Sequence, residues 1–208
     1  MKYLLVALVS AFFAAPAFSA TLPFNGPLVF IDTDDGGIYS GTPLGTVFSG
    51  SIDDQTFNGT ITDGLTETAF GCCIAAGGVG IENDLMLDAG LAGFLNDIAD
   101  ENLFSAGMMV DLVDIEGDTQ TPGFGRLEVG LSFVLDGDAF EDDDPSNYPF
   151  APEDVLLGVY FIFEEDIELG VVYDAIGRND LAVIPVPAAG WLLGSALGLL
   201  GWLRSRKV

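Results

Sequence analysis

Between residues 125 and 135 apolar and polar or small side chains alternate. Leu127, Val129, Leu131, Phe133 and Leu135 fall on one side, and Arg126, Glu128, Gly130 and Ser132 on the other, with Val134 as the one break. A period of two belongs to an extended strand with one buried face. Residues 155–163 are almost wholly apolar and rich in β-branched and aromatic types, which reads as a central strand. Residues 168–173 read as its hairpin partner across the charged turn Glu164-Glu165-Asp166. Residues 48–52 and 57–61 repeat Phe-x-Gly-x-Ile around Asp53-Asp54-Gln55, which predicts an early hairpin. Further strands are expected over 22–31, 79–87 and 108–115. Gly177-Arg178-Asn179-Asp180 and Asn147-Tyr148 read as turns.

One segment keeps a different period. Leu91, Phe94, Leu95 and Ile98 follow the i, i+3, i+4, i+7 spacing of an amphipathic helix, and Asp88 stands where a cap is needed. Many short strands, Gly-rich turns and a single helix predict a mainly β domain, an antiparallel two-sheet sandwich of jelly-roll type with one short helix.

The two ends differ from this middle. Lys2, the apolar run 3–15, Pro16 and Ala17-Phe18-Ser19-Ala20 have the order of a secretory signal-peptide helix, with cleavage expected after Ala20. No cysteine follows the cut, so lipoprotein anchoring is not expected. At the other end Pro185-Val186-Pro187-Ala188-Ala189 leads into an uncharged, Gly-bearing run and then the basic tip Arg204, Arg206 and Lys207. As a helix, 188–203 is about 24 Å long against a hydrocarbon core of roughly 30 Å, with Trp191 and Trp202 as interfacial anchors. The basic tip favours the cytoplasmic side and leaves the middle of the chain outside. The organisation expected is a signal peptide (1–20), one acidic β domain (21–182) and a C-terminal segment with a membrane helix (183–208).

That order of parts resembles the PEP-CTERM group of exported proteins, in its VPLPA-type C-terminal sorting signal. Ile184 and Val186 stand where that pattern usually has Val and Leu, and the proline spacing is kept. The resemblance covers about 25 of the 208 residues. It implies an address: recognition by a membrane transpeptidase-like exosortase, removal of the tail, and transfer from the inner membrane to the cell surface or matrix of exopolysaccharide-producing Gram-negative bacteria.

Composition narrows the function classes. All 32 acidic residues lie between the terminal segments, where only Arg126 and Arg178 oppose them, so the domain carries a net charge of −30. Such a surface repels nucleic acid and anionic lipid, and no Lys/Arg stripe is present to bind phosphate. The chain has no histidine, which removes Ser-His-Asp and Cys-His catalysis and imidazole metal sites. Both tryptophans lie in the C-terminal segment, so a sugar-stacking surface on the domain would use Tyr or Phe. The only cysteines, Cys72 and Cys73, are adjacent. They can form a vicinal disulfide, pair between chains, or stay reduced and buried.

Candidate chemistry is confined to acidic clusters. Asp32 and Asp34 precede Gly36-Gly37, and Asp138 and Asp142 belong to the acid run 136–144. Both could supply oxygen ligands to calcium, although neither completes an EF-hand loop. Equally, both read as solvated loops. The leading expectation is a non-enzymatic surface or matrix protein, structural or adhesive in an exopolysaccharide layer. A calcium-dependent carbohydrate-binding module is the alternative, and a secreted glycan hydrolase using paired carboxylates a third. If calcium binds, the melting temperature should rise by several degrees in millimolar calcium relative to magnesium or chelator at fixed ionic strength. Saturation at about 100 times Kd contributes about 2.7 kcal/mol, and coincident melts would mark the acids as solvated.

Overall fold

The structure, a computed structural model, describes residues 21–71, 78–121, 125–144, 148, 150, 154–166 and 168–180. The signal segment, Cys72 and Cys73, the motif Pro185, Val186, Pro187, Ala188 and Ala189, and the basic tip Arg204, Arg206 and Lys207 lie outside these residues. No helix among the described residues is long and apolar enough to cross a membrane.

The chain runs β1 (Thr21–Asp34), β2 (Val47–Asp53), β3 (Gly59–Thr62), β4 (Glu67–Phe70), β5 (Gly78–Met86), α1 (Ala89–Ala99), β6 (Met109–Thr121), β7 (Gly125–Asp136), β8 (Val155–Asp166) and β9 (Gly170–Arg178). Among the described residues the protein is mainly β and antiparallel with one short helix, as its periodicity predicts. The strands, however, form one nine-stranded sheet in the order β4-β3-β2-β1-β9-β8-β7-β6-β5, where two separate sheets were expected. The reason lies in β1. Its residues 21–27 pair with β2, and from Leu28 onward it pairs with β9 across two register shifts. A strand bent by such irregularities can serve two ladders at once.

Continuity of the ladder does not stop the two ends of the sheet from meeting. Gly117 of β6 lies under the Phe57 carbonyl and the Phe70 ring of β4, and a Cβ there would stand 2.1 Å from the Phe57 oxygen. The main core fills the enclosed side, with Phe24 stacked on Tyr160 at 5.3 Å and Tyr39 edge-on to Phe48 at 5.1 Å. Strand β4 has only four residues, too few to show a period, and was not expected from the sequence.

A second core lies on the opposite face of β6–β8, where Val110, Val134, Leu157 and Val159 are covered by α1. This accounts for Val134, which breaks the alternation in β7, and for the apolar character of both faces at the start of β8. Asp88 caps α1 by accepting the Leu91 N–H at 2.8 Å. The buried stripe is Ala92, Leu95, Ile98 and Ala99. Leu91 is turned outward, and Phe94 sits at the margin, edge-on to Phe30 at 5.6 Å. Burying Leu95 and Ile98 contributes roughly 1.5–3 kcal/mol each.

Two segments read as turns are strand instead. Strand β8 continues through Glu164 and Glu165 to Asp166, and β9 runs on through Gly177 and Arg178. If the closure over Gly117 is as tight as its geometry indicates, Gly117→Ala should cost about 1–3 kcal/mol or more in urea unfolding. Gly93→Ala, at a helical position with open space around it, should be neutral or gain up to about 1 kcal/mol.

Candidate functional site

The four acids singled out for calcium fall at two places. Asp34 is level with Tyr173, Glu164 and Leu127, at one end of the strands. Asp138 and Asp142 follow the other end of β7, beyond Leu135, a strand length of about 26 Å away. Asp34 directs both carboxylate oxygens at the Gly41 N–H, at 2.9 and 3.1 Å. Asp32 is beside Asp174, whose carboxyl its charge helps to raise. Asp142 accepts the Asp144 N–H at 3.0 Å, and the neighbouring Asp143 accepts Asn83 N–H at 2.7 Å. Among the described residues no three carboxylates or thiols are arranged to hold a metal ion.

Two other carboxylates are fully buried, and the pattern of the sequence did not single them out. Glu164 accepts the N–H groups of Ile38 and Tyr39 at 2.7 and 3.3 Å. Gly37, at φ +94°, passes so close that a Cβ would stand 2.6 Å from Oε2. Burial raises the Glu164 pKa, and the two amide hydrogen bonds offset part of the rise. Tyr39, held by this contact, donates from its hydroxyl to Ile61 O at 3.1 Å, and burial pushes its pKa up to about 12. Glu164 therefore pins the β1–β2 loop over the end of β3. At the opposite strand end Asp111 accepts from Asp84 N and Phe140 N, each at 2.9 Å, and so holds the bulge of β5. A run of Glu-Glu-Asp suggests a solvated turn. The signal against that reading was the continuing alternation Tyr160, Ile162, Glu164, which directs position 164 inward.

A third arrangement lies on the outer face of β6–β9, beyond the part that α1 covers. Cross-strand partners share a face, so the registers set out rows. Glu116, Gly130, Phe161, Ile176 and Phe30 form one row, and Asp118, Glu128, Phe163, Asp174 and Thr33 the next. The Phe161 ring lies across Gly130, with ring atoms 2.1–2.9 Å from where a Cβ would be. Only glycine leaves room for the ring to lie down on the neighbouring strand. Phe161 and Phe163 are half-buried, and Phe30 is 39% exposed.

Carboxylates flank the rings. Arg126 pairs with Asp118 at 3.0 Å and Glu128 at 2.5 Å. The carboxyl pKa values of Asp114, Glu116, Glu128 and Asp174 are all raised, first by burial. For Asp114 the Ser132 hydroxyl opposes the rise. For Glu116 the charges of Glu128 and Asp114 add to it and Arg126 opposes it. The face can present aromatic rings for stacking and carboxylates for hydrogen bonds or cations.

The domain's other arginine, Arg178, borders an open cleft of about 400 Å³ with Glu101, Leu103, Leu156 and Asp180. Its guanidinium is engaged by Asp180 at 2.7 Å and the Ala99 carbonyl at 3.3 Å, which steadies the C-terminal end of α1. Comparison of the chain with protein-family models, curated proteins and solved structures returned no match.

Burial holds the carboxyls of Asp114, Glu116, Glu128, Glu164 and Asp174 above their ordinary pKa values, which sets the sign of their contribution to the pH dependence. Between the ordinary values of 3.8–4.5 and the higher folded-state values, the folded protein holds more protons than the unfolded chain. Stability therefore falls as pH rises through that window. Urea unfolding should show a domain more stable near pH 5 than near pH 7, and Glu164→Gln should flatten that slope.

Proposed function

We propose that this chain is an exported, non-enzymatic protein of the cell surface or extracellular matrix, delivered through its C-terminal sorting signal and structural or adhesive within an exopolysaccharide layer. The observation that carries this reading is the ordered tail: the proline pair Pro185 and Pro187, the uncharged run and the tip Arg204, Arg206 and Lys207. Exosortase-type processing gives each part a use. The prolines mark the recognition site, the apolar run holds the chain in the inner membrane, and the basic tip keeps the end cytoplasmic.

The β domain suits such a destination. Asp34, Asp53, Asp63, Asp88 and Asp166 each accept backbone N–H groups in loops or at the helix cap. Their carboxylates serve to order connections, as expected of a scaffold that must keep its shape outside the cell. The test is the intact mass of the protein recovered from its native host. The expected species begins at Thr21 and lacks Trp191–Val208. Recovery of chains that retain the tail would refute the sorting step.

A further inference from the structure

The outer sheet face has a chemistry that an ordinary solvated surface does not need. Phe161 lies flat across Gly130 and turns one ring face outward, and Phe163 follows on the same side of β8 one strand repeat away, about 6.7 Å. Six carboxylates share this face: Asp114, Glu116 and Asp118 on β6, Glu128 on β7, Glu165 on β8 and Asp174 on β9. In the rows of Phe161 and Phe163 they are opposed by one guanidinium, that of Arg126, while Arg178, in the row of Asp114, is engaged by Asp180 and the Ala99 carbonyl. The rings are thus bordered by negative charge on both sides, at spacings of about one or two strands, roughly 5–10 Å. We propose that this face docks a cationic glycan strand, an amino-sugar polymer whose amino groups are free, with the pyranose faces on Phe161 and Phe163 and the ammonium groups against Glu116, Glu128 and Asp174. The proposal rests on the matrix reading above and assigns the polymer's chemistry and its place on the domain.

Three features favour this occupant. The apolar face of a pyranose matches an aromatic ring that lies across the neighbouring strand, as Phe161 lies across Gly130. Charge complementarity requires a cation, because a neutral glycan would leave the excess carboxylates uncompensated. In an amino sugar the ammonium is fixed to the stacking ring, so stacking and ion pairing come together. A basic peptide would instead order a long side chain for each charge it placed. The rings lie on β8, a strand paired on both sides by β7 and β9, and not at a strand edge, where extended peptides add by backbone pairing.

The experiment is calorimetric titration of the full chain, at about pH 6 and fixed moderate salt, with a fully de-N-acetylated glucosamine oligomer. The N-acetylated oligomer and an oligolysine of equal charge serve as comparison probes. The variants are Phe161→Ala, Phe163→Ala, Gly130→Ala, which pushes the ring off its seat without changing charge, and Glu128→Gln. Glu101→Gln removes one charge at an exposed position past the end of α1, outside the rows of Phe161 and Phe163. The expected result is binding of the free-amine oligomer, with a loss of roughly tenfold or more on acetylation and in each ring or Gly130 variant. Glu101→Gln should bind as the parent does.

Melting curves identify any variant that has unfolded, and Glu128→Gln, a half-buried polar change, supplies a test that does not depend on packing. Equal binding of the acetylated oligomer would overturn the ionic half of the proposal. Affinity unchanged by the ring and Gly130 variants would assign binding to bulk charge and overturn it. Phe-dependent binding of oligolysine at equal strength would replace the glycan with a basic peptide. Failure here with the tail removed in the host leaves the sorting reading intact, whereas binding with the tail retained removes only the delivery step.

Discussion

The shared strand β1 is the constraint on which the rest of the structure depends. Its first seven residues pair with β2 and its last seven begin the ladder with β9, so one strand joins the β2–β4 ribbon to the larger β5–β9 array. The pivot between the two duties is locked from several directions. Tyr160 donates to the Gly26 carbonyl at 3.0 Å, Asn179 accepts from Asn25 N at 3.2 Å, and Asp180 N donates to Asn25 O at 2.8 Å. Gly26 is indispensable at this point, because a Cβ would stand 1.8 Å from the Arg178 carbonyl. With the pivot fixed, Phe24, Phe48 and Tyr160 meet in the core, and Phe57 and Phe70 close over Gly117.

A second constraint is electrostatic. A domain with 32 acids and two arginines cannot neutralise itself by ion pairs, and self-repulsion weakens any compact state of such charge. Backbone amides take over part of that role. Glu164 and Asp111 are the buried cases, and the capping aspartates are the exposed ones. Each carboxylate so engaged satisfies N–H groups that a loop would otherwise leave to water, with charge-assisted strength. The acidity that reads as mere solubility along the chain is thus partly used to fasten the β1–β2 loop, the bulge of β5 and the cap of α1.

The same sheet face is divided between two uses. Helix α1 buries Val110, Val134, Leu157 and Val159, while the rows of Phe161 and Phe163 stay open, bordered by carboxylates. Phe30 and Phe94 mark the boundary. A face that was entirely structural would be covered throughout, and one that was entirely solvated would not place aromatic rings in register on adjacent rows.

Local periodicity was enough to locate β7, the β2–β3 hairpin and α1 with its Asp88 cap, because period two, period 3.6 and turn chemistry act over a few residues. The order of charge, apolar run and small residues on which the proposed terminal segments rest is equally local. The inward direction of Glu164 was present in the alternation from Tyr160 and Ile162 but was hidden by its acidic neighbours. Other features depended on residues far apart in the chain. The single sheet was set by which partner each half of β1 found, the buried stripe of α1 by the Val110 and Val134 surface beneath it, and the flat Phe161 ring by Gly130 on another strand. The sequence by itself determined the longer periodic elements, among them β7, the β2–β3 hairpin and α1, and the polarity of their faces, since these follow from side-chain type and spacing. Only the tertiary structure decided which carboxylates are buried against amides and which aromatics share an open face, because burial and cross-strand register arise from contacts between residues as distant in sequence as Ile38 and Glu164.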